Sequence, residues 1–367
     1  MSRVFPAVLI ALAIGGCSDR SKRKPGVIEP GRSTDARPGG LDAALDPSGE
    51  ALLPPPPPVP SPPPGRAPLP TTTTAPPTAA EVALGELLFF ERRLGADGTT
   101  RCATCHDPGH GLAGVAARNQ NALGKPNLRH TPTLLDLGWH LELGWDGRGG
   151  DRERFVAGHA TGQLGASLDD TARRLLESPT YRAHVRRAGN VLTAGKTAAA
   201  ALVAYALTRF SAESPWDRQE RGVPAAVSAQ AIAGYALFGG KAGCATCHPP
   251  PLYTDLAYHR LGLIASPDDG RGRTDPTATG GFKTPSLRAA AQRARFFHDG
   301  SAATLEAAVD WHLTGGTGQG ADPSIVDPAL TPVTLTTDER AALLAFVRAL
   351  SAPVVISPPP PLPEDLP

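Results

Sequence analysis

Two identical pentapeptides, Cys102-Ala103-Thr104-Cys105-His106 and Cys244-Ala245-Thr246-Cys247-His248, constrain this chain more than any other feature. They use four of its five cysteines, so no pair remains for a disulfide framework. Cys-x-x-Cys-His is the attachment signature of c-type haem: two thiols bind the porphyrin and the adjacent histidine is held beneath the iron. A zinc site needs four ligands close together, whereas these pairs are 142 residues apart in sequence. A redox dithiol expects a βαβ setting, and alternating strand patterns are almost absent. The spacing therefore predicts two covalently bound haem c groups, held by Cys102, Cys105, Cys244 and Cys247, with His106 and His248 as proximal ligands.

The pentapeptides belong to a longer repeat. Gly85-Glu-Leu-Leu-Phe89 precedes the first and Gly234-Tyr-Ala-Leu-Phe238 the second, each on a helical pattern a short loop away. Thr78-Ala-Ala-Glu81 reads as a capping box that opens a helix through Phe90. Further helical patterns cover 169–176, 196–209, 228–238, 303–312 and 337–350. Aromatic residues make up only 5% of the chain, thin for a core of this size unless something else fills it. Lys and Arg number 36 against 35 Asp and Glu, which excludes a broad basic surface for nucleic acid.

The N-terminus reads as an export signal. Arg3 precedes an apolar stretch from Val4 to Ile14, too short to span a bilayer, and then Gly15-Gly16-Cys17. This resembles the bacterial lipoprotein signal (residues 1–17), with Cys17 as the lipidated residue, and implies an exported, lipid-anchored protein on the periplasmic side of a membrane. Residues 18–80 hold 13 prolines between 51 and 80 and read as a disordered, Pro/Gly-rich tether. Fully stretched at roughly 3.1 Å per residue, it would reach about 190 Å. A Pro-rich tail covers 353–367.

Six strings in order carry a family resemblance: Leu84 to Leu94, Arg129 to Leu135, Trp145-Asp-Gly-Arg148, Ser214-Pro-Trp-Asp-Arg218, Lys283 to Arg288 and Phe296-Phe-His-Asp-Gly300. With the two haem motifs, the chain resembles the bacterial di-haem cytochrome c peroxidases, including MauG, from about Ala83 to Ala352. The resemblance implies an all-α fold of two cytochrome c-like domains, a peroxidatic one at 81–213 and an electron-transfer one at 214–352. It also implies a tryptophan, here Trp145, that carries electrons between the haems. The implied activity is reduction of hydrogen peroxide at the N-terminal haem with electrons from the C-terminal one. The donor would be a small periplasmic cytochrome c or cupredoxin. Two alternatives are MauG-like oxidation of a partner protein and a non-enzymatic di-haem electron-transfer cytochrome.

The departures from the family are as informative. Its members place Met or Tyr on the second face of the C-terminal haem. Here that slot falls on His312, and the one Met is Met1. A bis-His, low-spin haem follows. The removable His of resting peroxidases aligns with Ala122. The family's distal glutamate aligns with Gln163, which can hydrogen-bond to peroxide but not shuttle its proton. A proline over the same haem aligns with His159. Three readings of His159 stay open here: replacement acid–base group, iron ligand, or solvent-exposed side chain. The family's calcium position carries His130 flanked by Arg293 and Arg295, so calcium is not expected.

Overall fold

The structure, a computed structural model, describes residues 52–70, 76–189, 194–263, 268–318, 321, 323–352 and 360–364. The export signal with Cys17, and the stretch 18–51, lie outside the described residues. Ten helices carry the fold among the described residues: α1 (Ala79–Phe90), α2 (Cys102–Cys105), α3 (Arg152–Leu164), α4 (Leu168–Leu175), α5 (Pro179–Arg187), α6 (Ala194–Leu207), α7 (Pro215–Glu220), α8 (Ala229–Gly239), α9 (Leu305–Leu313) and α10 (Thr337–Ala349). One two-residue ribbon pairs β1 (Tyr258–His259) antiparallel with β2 (Phe282–Lys283). None of these helices is long and apolar enough to cross a membrane.

The capping box at Thr78 and Glu81 forms as read, and the same device opens α10 at Thr336 and Glu339. The sequence pattern misses the single turn of α2 and the longer α3, α5 and α7. Of the thirteen residues of α3 only Ala160 and Leu164 are buried, so no apolar stripe betrays it.

Buried residues fall in two clusters. One joins α1 to α6, with Phe89 and Tyr205 rings 5.0 Å apart. The other joins α8 to α10, with Phe238 and Phe346 at 4.9 Å. The internal repeat explains the likeness. A Cβ on Gly85 would fall on the carbonyl oxygen of Ala201, and one on Gly234 on that of Ala342. Both glycines let paired helices cross backbone to backbone, and the Leu-Phe that follows fills the cleft below.

Ion pairs stitch the clusters together. Arg129 donates from Nε and Nη2 to Asp268, at 2.6 and 2.8 Å, and its Nη1 lies 2.8 Å from Asp146. Burial alone would raise the Asp268 carboxyl, but its bonds to Arg129 and the Gly270 amide hold it down at about 2.

The Pro-rich segment departs from the reading of a disordered tether. Residues 52–70 lie against the body. Val59 packs on the α1–α6 cluster, and Trp139 Nε1 donates to the carbonyl of Ala67 at 3.0 Å. Arg66, with 1% of its side chain exposed, pairs with Asp217 at 2.8 Å. The C-terminal tail docks on the same side: Leu362 packs on that cluster and Arg93 donates to the Pro363 carbonyl at 2.8 Å. A polyproline segment is already extended and stiff, so laying it on a surface orders little that was free.

Two outcomes follow. Gly234→Ala forces α8 away from α10 and is expected to destabilise the protein by about 1–3 kcal/mol, read as a lower melting temperature. The Asp268 pairing is fully present above about pH 4. Its contribution should fade as pH falls from there to about 2, in melting curves taken across that range, and Asp268→Asn should flatten this dependence.

Candidate functional site

α2 brings Cys105 to the wall of one cavity, with Cys102 at the head of the same helix, and the turn at Cys244–Thr246 brings Cys244 and Cys247 to the wall of another. The first cavity, about 470 Å³, is bordered by His106, His159 and Gln163. The second, about 770 Å³, is bordered by His248 and His312. Burial pushes the Cys102 thiol up to about 12 and the Cys244 thiol to about 11.

Four histidines oppose one another in pairs. The rings of His106 and His159 have centroids 6.4 Å apart, and those of His248 and His312 lie 6.5 Å apart. A metal bound to a nitrogen of each ring at about 2.0–2.1 Å, with about 1.1 Å from nitrogen to ring centre, requires roughly 6.3 Å. Both pairs meet that requirement. Three of the rings are fixed by backbone carbonyls. His106 Nδ1 donates to Pro132 at 3.0 Å and Leu112 at 3.2 Å, His248 Nδ1 to Tyr253 at 2.9 Å, and His312 Nδ1 to Ala308 at 2.8 Å. A proton held on Nδ1 leaves Nε2 with a free lone pair, as metal ligation demands. Leu112 and Tyr253, whose carbonyls accept at equivalent places in the two repeats, are both fully buried and both left-handed at φ 55°.

His159 differs. No described residue makes a hydrogen bond to its ring, which stacks on Phe155 at 5.9 Å. The open cavity on one side makes it count as exposed, yet protein on the others desolvates it. Burial first, and then the charge of Arg148, bring its pKa down to about 4. Burial lowers His106 and His248 to about 4 as well, so these rings are neutral at pH 7.

Gln163 sits one turn beyond His159 on α3, and its Oε1 accepts from Asn127 Nδ2 at 2.9 Å. Trp145 borders both cavities, and its Nε1 donates to the His130 carbonyl at 2.8 Å. At the family's calcium position, His130 is buried with Nδ1 on the Ala116 carbonyl at 3.0 Å, close enough to Arg293 and Arg295 for their charges to lower its pKa after burial does.

Three residues in these walls escaped the sequence reading as site residues. Asn127 positions Gln163. His140 lines the first cavity, its pKa driven to about 3 by burial and by the charges of Lys283 and Arg152. His298 lines the second, stacked on Phe282 at 3.5 Å, with a buried Nε2 that has no partner. Arg293, which borders both cavities, likewise has a buried Nε with no partner. No periodic or spaced motif marks Asn127 or His140, while His298 lies within the Phe296-Phe-His-Asp-Gly300 string. Opposed imidazoles, thiols on the wall, and buried cationic donors left for carboxylates fit haem, whose two propionates need such donors.

Comparison with known proteins agrees. Residues 79–224 match the family described as di-haem cytochrome c peroxidase. The chain is 37% identical over 285 residues to the methylamine utilization protein MauG of Methylorubrum extorquens, covering 76% of this chain and 80% of that protein. It is 34% identical over 314 residues to the cytochrome-c peroxidase IdrP1 of Denitromonas iodatirespirans, covering 75% and 82%. Among solved structures, a MauG-like protein associated with microbial copper homeostasis aligns with a TM-score of 0.70 at 26% identity, over 79% of this chain and 94% of that one. The diheme peroxidase BthA from Burkholderia thailandensis shares the fold, with a TM-score of 0.62 at 22% identity over 78% and 89%. On these relationships the chain belongs to the di-haem cytochrome c peroxidase family and is a peroxidase-like oxidoreductase.

Proposed function

We propose that this protein reduces hydrogen peroxide at the cavity of residues 81–213, with electrons passed from the cavity of residues 214–352. The observation that carries the proposal is Trp145, the indole bordering both cavities. Cys102 with Cys105, and Cys244 with Cys247, attach one haem c each. Haem iron supplies the two-electron reduction of peroxide, which with two protons yields two water molecules.

The chain's own residues divide the work unevenly. His248 and His312, both anchored through Nδ1, hold the C-terminal site closed on both faces as an electron store. A small periplasmic cytochrome c or cupredoxin supplies it. His106 is the anchored proximal ligand at the N-terminal site. The 6.4 Å between His106 and His159 would let both rings hold one iron, with no space left for a peroxide between them. His159 would then be the resting ligand, and it lacks the Nδ1 anchor that fixes the other three rings. Its side chain would have to turn aside to admit peroxide beside Gln163. With Oε1 held by Asn127, Gln163 turns its amide N–H groups to peroxide as donors. Calcium has no place in this scheme, because His130, Arg293 and Arg295 occupy its position.

A second reading, oxidation of a partner protein, is favoured by the 37% identity to MauG. Turnover with a small reduced cytochrome as sole donor separates the two. Cys17 is the proposed lipid anchor of the exported protein.

The exported protein is expected to show two added haem masses, and a single added mass overturns the assignment of one haem to each motif. His312→Gly should convert one of the two haems from low to high spin while the other keeps its signal. His159→Gly should do the same at the N-terminal site and speed the reaction with peroxide in stopped-flow mixing. If His159→Gly is instead slower by about 10² to 10⁴, His159 is an acid–base group and not a resting ligand.

A further inference from the structure

We propose that residues 52–70 are a clasp that holds the two helical cores in register, with Arg66 as its key. This does not depend on the reading of the haem sites. It also lies outside the family resemblance, whose matched region starts at residue 79.

The segment is held mostly by the α1–α6 side of the molecule. Arg187 donates from Nη2 to the Leu53 carbonyl at 2.7 Å and from Nη1 to that of Pro54. Val59 packs on the cluster, Trp139 Nε1 bonds the Ala67 carbonyl at 3.0 Å, and Leu69 lies so close to Gly138 that a Cβ there would be 2.8 Å from Leu69 Cδ2. Arg66 alone reaches across. Its Nη1 donates to Asp217 Oδ1 at 2.8 Å and its Nη2 to Ser211 Oγ and Asp217 Oδ2, both at 3.4 Å.

Asp217 belongs to the opposite core. It lies on α7 beside Trp216, a member of the α8–α10 cluster, and accepts from Ser214 N and Oγ at 2.7 Å. Arg288 grips the same carboxylate through both terminal nitrogens, at 3.0 and 2.9 Å, and has no exposed side-chain surface. One buried carboxylate thus joins two guanidiniums, one from the Pro-rich segment and one from the loop after β2. Asp217 is held well below the usual carboxylate range by Arg66 and Arg288, against the effect of its own burial. The connection continues inward. The backbone carbonyl of Arg288 accepts from Arg293 Nη2 at 2.8 Å, and Arg293 borders both cavities. A guanidinium buried with its Nε unpartnered is a poor choice for simple surface adhesion, and makes sense where the far partner must be fixed.

The test uses the full haem-loaded chain. Arg66 is itself a trypsin site, so the bond after Arg66 reports the clasp. Its cleavage is expected to be at least ~100-fold slower in the native protein than in urea, because attack requires the segment to lift. Trp139→Phe, which removes the bond to Ala67 but leaves Asp217 and Arg288 untouched, should speed native cleavage about tenfold. Arg66→Ala should lower the melting temperature by about 2–4 °C and separate one calorimetric transition into two. Arg66→Lys, which restores the charge but not the fork, should recover part of the shift. Rapid native cleavage after Arg66, or an Arg66→Ala melting profile identical to the parent's, overturns the clasp. If Arg66→Ala does not fold, the parent and Trp139→Phe cleavage rates decide the question alone.

Discussion

A backbone carbonyl facing an imidazole N–H is the contact on which this architecture turns. His106, His248 and His312 each present Nε2 to a cavity because Nδ1 is tied to a main-chain oxygen, which fixes both tautomer and ring plane. The carbonyls have to be aimed, and two of the residues that aim them, Leu112 and Tyr253, adopt a left-handed backbone that non-glycine residues rarely tolerate. Both are buried to 0% exposure, so packing holds them there. The long irregular loops between the helices are the cost of pointing these oxygens inward.

Symmetry of construction and asymmetry of chemistry then separate cleanly. The glycine-mediated crossings at Gly85 and Gly234, the aromatic pairs below them and the cysteine turns are copies of one design. The distal sides are not. His312 projects from α9 with its ring anchored one turn back, while His159 stands on α3 with only an aromatic stack beside it. In the proposed scheme the two proximal sides repeat because each holds an iron, whereas the distal sides diverge because only one meets a substrate. Arg293 and Lys283 border both cavities, so the seam is cationic as well as aromatic at Trp145.

Legibility in the sequence follows the same division. Elements stabilised by local rules were readable: the capping box of α1, the apolar faces of α6, α8 and α10, and the spacing of each Cys-x-x-Cys-His. Helix α3 was not, because its inward positions are spent on His159 and Gln163 instead of leucine, which erases the periodic signal where the chemistry is richest. The family's Met or Tyr slot picks out His312, but its opposition to His248 is a distance across the fold that no local pattern encodes. The Pro-rich segment misled for a different reason. Composition reports that it cannot build a core of its own, and says nothing about whether another core will receive it, as Trp139 and Asp217 do.

That reception changes the geometry of encounter with partners. For a chain anchored at Cys17, the 34 residues from 18 to 51 would separate the anchor from the docked segment, so the stretched reach would be about 105 Å at ~3.1 Å per residue and not ~190 Å. The accessible volume above the membrane falls with the cube of that length, roughly sixfold. A redox partner held on the same surface would meet the protein at an effective concentration on the order of 1 mM, set by docked prolines outside both cavity walls.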